Sequence, residues 1–264
     1  MNTSLSGWTA VVTGSTAGIG YAIAEELARG GATVIINGRS QERVDAALAQ
    51  LRRTLPEADL RGVAIDLSSA EGAARFLAEV PHADILINNL GIFVPTDFAS
   101  IGDEEWQRLW EVNVMSGVRL SRHYFAGMLE RDRGRVVFLS SESGVQIPAE
   151  MIHYGVTKAA QIALARGMAQ LTAGTAVTVN SVLAGPTRSE GVGVFVEQLA
   201  GQQGVTGAEV EKQFFQTARP TSLLGRFAEP AEIARVVAFV ASPAASVING
   251  AAIRAEGGVL LSAF

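Results

Sequence analysis

The chain has 264 residues, 48% of them hydrophobic, with 26 acidic and 21 basic side chains and a net charge of −5. That length and apolar fraction suit one domain with a sizeable core; the absence of cysteine excludes disulfides, thiol catalysis and thiolate metal sites, and an acidic balance without a basic stripe argues against nucleic acid as a partner. No apolar run approaches the ~18 residues of a membrane span, and the first residues lack the basic-then-apolar pattern of a signal peptide, so the expectation is a soluble, cytoplasmic protein with no membrane partner.

Residues 9–13 read as a strand that passes through a glycine-rich turn into a helix over residues 19–29, and residues 33–37 form the next strand. An amphipathic helix follows over residues 41–55, with Val44, Leu48 and Leu51 spaced for one face. Further strands are expected at residues 63–65, 85–87, 136–139, 178–182 and 251–255, and helices at residues 104–130, 154–172 and 230–240. This alternation is the signature of βαβ units, and no linker or repeat divides it. The expected fold class is α/β, a doubly wound parallel sheet of the Rossmann kind, in a single domain over residues 1–264. In residues 189–224 Gly191, Gly193, Gly201, Gly204 and Gly207 punctuate a stretch without strands. A long segment of that kind reads as a substrate lid or binding loop.

Between the first strand and the first helix lies Thr13-Gly14-Ser15-Thr16-Ala17-Gly18-Ile19-Gly20. Glycines in that context permit a tight turn and a close approach of backbone to pyrophosphate, which rests on the positive end of the helix. After the second strand Gly38 stands where NAD-binding chains place an acid for the ribose hydroxyls, and Arg39 follows at once, which suits the 2′-phosphate of NADP. NADPH/NADP+ is therefore the expected cofactor, and NAD is less favoured. Asp66 and Leu67, after the third strand, are placed to meet the adenine, although Asp66 reads equally well as a helix cap.

Of the 21 basic residues only Lys158 and Lys212 are lysines, and Lys158 stands four residues after Tyr154. That spacing puts an ammonium beside a phenol on one helix face. In a partly desolvated cleft a cation would lower the phenol pKa from about 10 toward ~7, roughly 4 kcal/mol of interaction. His82, His123 and His153 form no metal-ligand cluster, and no metal is expected. His153, next to Tyr154, reads as a surface neighbour or as a pocket residue.

The turn Thr13 to Gly20, Asn88-Asn89-Leu90-Gly91, Asn113, Ser140-Ser141-Glu142-Ser143-Gly144, the Tyr154/Lys158 pair, Asn180 to Pro186, Leu224-Gly225-Arg226 and Ala255-Glu256-Gly257-Gly258 together resemble, in order and spacing, the short-chain dehydrogenases/reductases over essentially the whole chain. The resemblance implies a catalytic tetrad of Asn113, Ser141, Tyr154 and Lys158. Ser141, 13 residues before Tyr154, would hold the substrate oxygen. Tyr154 would be the general acid in reduction and the base in oxidation; Lys158 would lower its pKa and hydrogen-bond the nicotinamide ribose. Asn113 would bend a helix and keep a water in contact with the lysine. Asn89, Gly91 and Gly185 fall in the family's cofactor-binding motifs, and Thr187 and Ser189 would contact the nicotinamide carboxamide. Leu90, Ala184 and Glu256 depart from the family's usual Ala, Pro and Asp, without removing a reacting group.

The resemblance implies an NADPH-dependent reductase working reversibly on a small carbonyl or alcohol substrate. The alternatives are an NAD-dependent alcohol dehydrogenase and a catalytically silent NADP-binding sensor or scaffold. Val192, Val194, Phe195, Phe214 and Phe215, with Ile92, Phe93 and Val94, suggest a hydrophobic pocket, or else the packing of a lid or a subunit contact. Arg131, Arg133 and Arg135 form either a docking patch for an acyl carrier or a solvated turn. Similar chains form homo-oligomers, tetramers or dimers, and the apolar residues 248–253 and 259–264 fit that expectation.

Overall fold

In the computed structural model, which describes residues 3–263, seven strands form one parallel sheet. They are β1 (Thr9–Val12), β2 (Thr33–Gly38), β3 (Leu60–Ala64), β4 (Ile85–Asn88), β5 (Arg135–Ser141), β6 (Thr178–Ala184) and β7 (Ala252–Ala255), in the order β3-β2-β1-β4-β5-β6-β7. The expected doubly wound α/β fold is thus present. The helices are α1 (Gly18–Arg29), α2 (Gln41–Thr54), α3 (Ala70–Glu79), α4 (Asp103–Trp110), α5 (Ser116–Glu130), α6 (Ile152–Gln170), α7 (Glu190–Gln203), α8 (Gly207–Thr217) and α9 (Pro230–Ala241).

Successive side chains of a strand point to opposite faces, and here both sets are apolar, which explains why helices cover both faces. Val12, Ile36 and Ile87 face a core shared with Ile23 and Leu27 of α1, Val44 and Leu51 of α2 and Val237 of α9. Val11, Ile35 and Leu86 face the opposite core, shared with Phe76 of α3, Leu120 and Met128 of α5 and Ala165 of α6. Each fully buried Val, Leu, Ile, Phe or Met side chain among these contributes roughly 1.5–3 kcal/mol. Between β1 and β4 the strand order reverses, which opens a crevice beyond the carboxyl ends of the strands.

Three local features differ from the sequence expectation. The helix expected over residues 104–130 is interrupted by a π-helical turn, Glu111–Met115, in which the Ser116 N–H reaches back to Glu111 O. Helix α3 was not anticipated; Ser69 caps it by accepting from Gly72 N at 3.0 Å. The strandless segment is helical, because Thr206 and Glu209 form a capping box at the start of α8 and Gly204 closes α7 with φ of 66°. Val192, Leu199 and Phe214 pack there on a separate small core of Val196, Ala200, Val210, Phe215 and Phe227. The side chains of Val194 and Phe195, and residue 264, lie outside the described residues. Among the described residues no helix is long and apolar enough to cross a membrane, and no cluster of three metal-ligating side chains occurs.

Candidate active site

The glycine turn is built by hydrogen bonds that only small residues allow. Gly14 and Gly18 take φ of 60° and 57°, the left-handed region that favours glycine. A Cβ on Gly20 would lie 2.4 Å from Asn89 Nδ2 and 2.5 Å from Gly14 O. Asn89 sews the turn to the end of β4, its Nδ2 donating to Thr13 O at 2.8 Å and Gly14 O at 3.0 Å, while Thr13 Oγ1 accepts from the N–H groups of Asn89 and Leu90. The Ser15 hydroxyl points inward, donating to Val12 O at 2.6 Å and accepting from Asn37 N at 2.9 Å. Its side chain therefore shapes the turn. Gly38 leaves room for Thr16, whose Cγ2 would sit 2.5 Å from a Cβ there. Arg39 emerges beyond β2 exposed, and no hydrogen bond or ion pair holds its guanidinium among the described residues.

Asp66 and Leu67 divide the expectation placed on them. Leu67 is buried in the core beneath α3 and α5, so its side chain faces away from the crevice. Asp66 is exposed and accepts from Ser68 N at 3.0 Å; the cap of α3 is Ser69.

Four elements converge beyond β5. The Asn113 side chain, in the π turn, accepts from Ile92 N at 2.8 Å and donates to Ile92 O at 2.9 Å and to Thr157 Oγ1 at 3.0 Å. One amide thus ties the segment after β4, the π turn and α6 together. Lys158 Nζ donates to Leu139 O at 2.8 Å and to Gln161 Oε1 at 3.1 Å, and lies 5.6 Å from the centre of the Tyr154 ring. Gln161 Nε2 in turn donates to Asn113 O at 2.6 Å. The Tyr154 ring packs edge-on against Phe93, 6.0 Å away.

Sequence reasoning gave no role to Glu142, yet its carboxylate acts on Tyr154, Lys158 and Arg219 alike. It is 4% exposed and accepts from the hydroxyls of Ser141 and Ser143 and from Arg219 Nε at 3.1 Å. Arg219, 7% exposed and carried by the segment after α8, also donates to Glu150 at 3.0 Å. Burial pushes the Tyr154 phenol up, and the Glu142 charge adds to that, against the Ser141 hydrogen bond and the Arg219 cation. Lys158 is not among the influences on the phenol, so the expected depression by the lysine is absent. Burial holds Lys158 down from 10.5 to about 8, opposed by Glu142. Glu142 and Arg219 are far apart in the chain, and no local pattern could have paired them.

A cavity of about 760 Å³ opens at this point. Its walls include Gly18, Ile19, Gly20, Asn89, Gly91, Ser141, Tyr154, Lys158, Gly185, Thr187 and Ser189, which brings most of the sequence candidates together. Gly14, Ser15, Thr16, Arg39, Asp66, Leu67 and Asn113 stand outside those walls. Gly18 and Ser189 are neighbours in the cavity wall, a Cβ on the glycine reaching within 3.4 Å of Ser189 Cβ. A Cβ on Gly185 would collide with Glu256 O at 2.5 Å, so only glycine fits between β6 and the turn after β7. The open glycine cradle, the positive end of α1 and the Lys158 ammonium in the same cavity fit a dinucleotide. Phe93, Val192 and Phe214 also line the cavity, whereas Phe215 is buried among the α7 and α8 side chains.

The remaining candidates lie elsewhere. His153 is fully buried against Trp106, with ring centres 5.9 Å apart, and is absent from the cavity wall. Arg131, Arg133 and Arg135 gather at the opposite end of β5 from Ser141, with Arg133 stacked 4.1 Å over Trp8 and Arg135 donating to the carbonyls of Gly134 and Ala176. They form no patch at the cavity mouth.

Residues 8–199 match the family described as short chain dehydrogenase. Along the whole of both chains, the sequence is 47% identical to an uncharacterized oxidoreductase, YvaG, of Bacillus subtilis (strain 168). It is 33% identical to the 3-oxoacyl-[acyl-carrier-protein] reductase FabG of Aquifex aeolicus (strain VF5), over 98% of this chain and 100% of that one. Among solved structures, L-sorbose reductase from Gluconobacter frateurii complexed with NADPH and L-sorbose superposes with a TM-score of 0.93 at 30% identity, covering 99% of this chain and 100% of that one.

Proposed function

The chain belongs to the short-chain dehydrogenase family, and on that premise we propose that it is an NADPH-dependent reductase of ketones or aldehydes, reversible toward alcohol oxidation. The observation that carries this reading is the meeting of Ser141, Tyr154 and Lys158 in the lining of one cavity that the glycine turn at α1 also lines. The cofactor supplies the hydride. Tyr154 donates the proton that the developing alkoxide takes up, and Ser141 orients the carbonyl oxygen beside the phenol. Lys158 directs its remaining N–H toward the cavity, where a ribose hydroxyl would accept it. Helices α7 and α8 serve as the lid over an apolar substrate, exclude water and carry Arg219 to Glu142. NADPH bound to the sorbose reductase supports the choice of cofactor. Exposed Leu223, Val247 and Leu261 support a homo-oligomer, a tetramer or dimer.

The test is fluorescence titration with NADPH and NADH, followed by absorbance assays of nicotinamide oxidation with ketones, β-keto esters and aldehydes. NADPH binding with ketone-dependent oxidation is expected. Arg39→Ala should weaken NADPH roughly 10- to 100-fold, the loss of one charged hydrogen-bond partner, and leave NADH unchanged. Tighter binding of NADH by the unaltered protein would overturn the NADPH assignment. NADPH binding with no turnover across the panel would favour a silent sensor.

Glu142→Gln probes the electrostatics of the same site. Its negative charge favours the protonated forms of both Tyr154 and Lys158. Removing it lowers both, so Tyr154 becomes a base at lower pH. The acid limb of kcat/KM for alcohol oxidation should move down by about one pH unit or more. A superimposable pH profile would show that Glu142 does not act on the phenol.

A further inference from the structure

Gln161 is 1% exposed and uses both ends of its amide within the catalytic cluster. Its Oε1 accepts from Lys158 Nζ at 3.1 Å, and its Nε2 donates to Asn113 O at 2.6 Å. The two residues stand three apart on α6, hence on one face. An ammonium has three donors. Leu139 O and Gln161 Oε1 take two, which fixes the rotation of Nζ and leaves the third N–H for the cavity that Lys158 lines. The acceptor at the far end belongs to the π turn, where the helix departs from regular i to i+4 bonding. Thr157 and Gln161 thereby tie α6 to that turn at two points.

We propose that Gln161 is a positioning residue for Lys158: it joins the lysine ammonium directly to the main chain of the π turn, aims the free N–H into the cavity and holds the lysine in its charged form. One link from Asn113 to Lys158 is thus a side chain of the protein, fixed in place. An amide accepts and donates hydrogen bonds without taking up a proton at ordinary pH. Gln161 therefore holds the lysine without itself titrating. The charged or titratable groups that face this cluster are Tyr154 on α6, Glu142 after β5 and Arg219 after α8; the π turn contributes the neutral Asn113.

This rests on the reductase reading for its kinetic arm only. Gln161→Met keeps the length of the side chain and removes both hydrogen bonds; Gln161→Glu keeps an acceptor for Lys158 and adds a negative charge. The pKa of Lys158 should fall in the first and rise in the second, by about one unit each. The basic limb of kcat/KM for NADPH-dependent reduction should move in the same opposed directions, with kcat lowered about tenfold in Gln161→Met, a loss within the range for a misplaced catalytic group. Independently of turnover, the pH at which unfolding free energy rises between pH 8 and 10.5, the interval of Lys158 titration, should shift down in Gln161→Met and up in Gln161→Glu. Coincident titrations in the two variants and the unaltered protein would overturn the proposal, even if all three reduce ketones. Opposed shifts of the stability curve in a protein that turns over no ketone would uphold it and reject the reductase reading alone. If Gln161→Met does not fold, Gln161→Glu against the unaltered protein decides by the sign of its shift.

Discussion

Tyr154→Phe is expected to lower kcat for carbonyl reduction by roughly 10²–10⁴-fold, the usual contribution of a positioned general acid, and to leave NADPH binding intact. The substitution removes one oxygen and keeps the ring that packs on Phe93. The glycine turn and Lys158 are untouched. Single-turnover oxidation of bound NADPH separates the two effects, because a lost acid slows the chemical step without changing the titration endpoint. Full activity in the phenylalanine variant would remove Tyr154 from the mechanism and shift attention to Ser141 and its partner Glu142. Burial and Glu142 both favour the protonated phenol, so at neutral pH the proton is already in place for reduction. Oxidation, which needs the phenolate, should therefore be the direction that gains most from alkaline conditions.

Lys158→Met is the second large effect, and it has a stability arm as well as a kinetic one. The kinetic loss should be of the same order as for Tyr154, with weaker NADPH binding added, because the ammonium donor toward the ribose is gone. For stability, burial holds the folded lysine at about 8 against 10.5 for the ordinary group. Between those values the unfolded chain binds more protons than the folded one, so unfolding free energy rises with pH there. Below pH 8 the lysine is charged in both states and its burial costs about 3 kcal/mol, at ~1.36 kcal/mol per pH unit. By pH 10.5 most of that cost has gone. The methionine variant lacks this rise. The difference in unfolding free energy between the two proteins should therefore change by about 3 kcal/mol over that interval, in favour of the lysine at high pH. Tyr154 acts oppositely above pH 10, but both proteins retain it, and it cancels in the difference. Denaturant unfolding below pH 8 and at pH 10.5 supplies the check; a constant difference would mean that the ammonium is solvated.

Much of this arrangement was legible in the amino-acid order because it is encoded locally. Strand-helix alternation gave the sheet, glycines after β1 marked the turn at α1, and the spacing of Tyr154 and Lys158 put both on one face of α6. What remained hidden depends on partners distant in the chain or on main-chain geometry. Ser15 and Leu67 sit in segments that read as cofactor contacts, but the hydroxyl of one is consumed by Val12 and Asn37 and the side chain of the other is core. The π turn leaves no compositional mark, since Glu111 to Met115 carries the same helical pattern as its neighbours, and only the family resemblance, through Asn113, implied a bend there. Helices α7 and α8 were masked by their glycines; capping at Thr206 and packing on Phe227 outweigh the weak propensity. Gln161 and Arg219 gave no signal, because their importance lies in which distant atoms they meet.

Helices α7 and α8 bury their apolar faces in a cluster of their own, apart from the two cores that hold the sheet. A mutation there changes the shape of the cavity roof without loosening the layers that align Tyr154, Lys158 and the glycine turn. Arg219 is the point at which this module is fastened to the serine side of the cavity, through Glu142. Variation in α7 and α8 around a fixed Arg219 thus reshapes the cavity while the placement of Tyr154, Lys158 and the glycine turn is inherited unchanged.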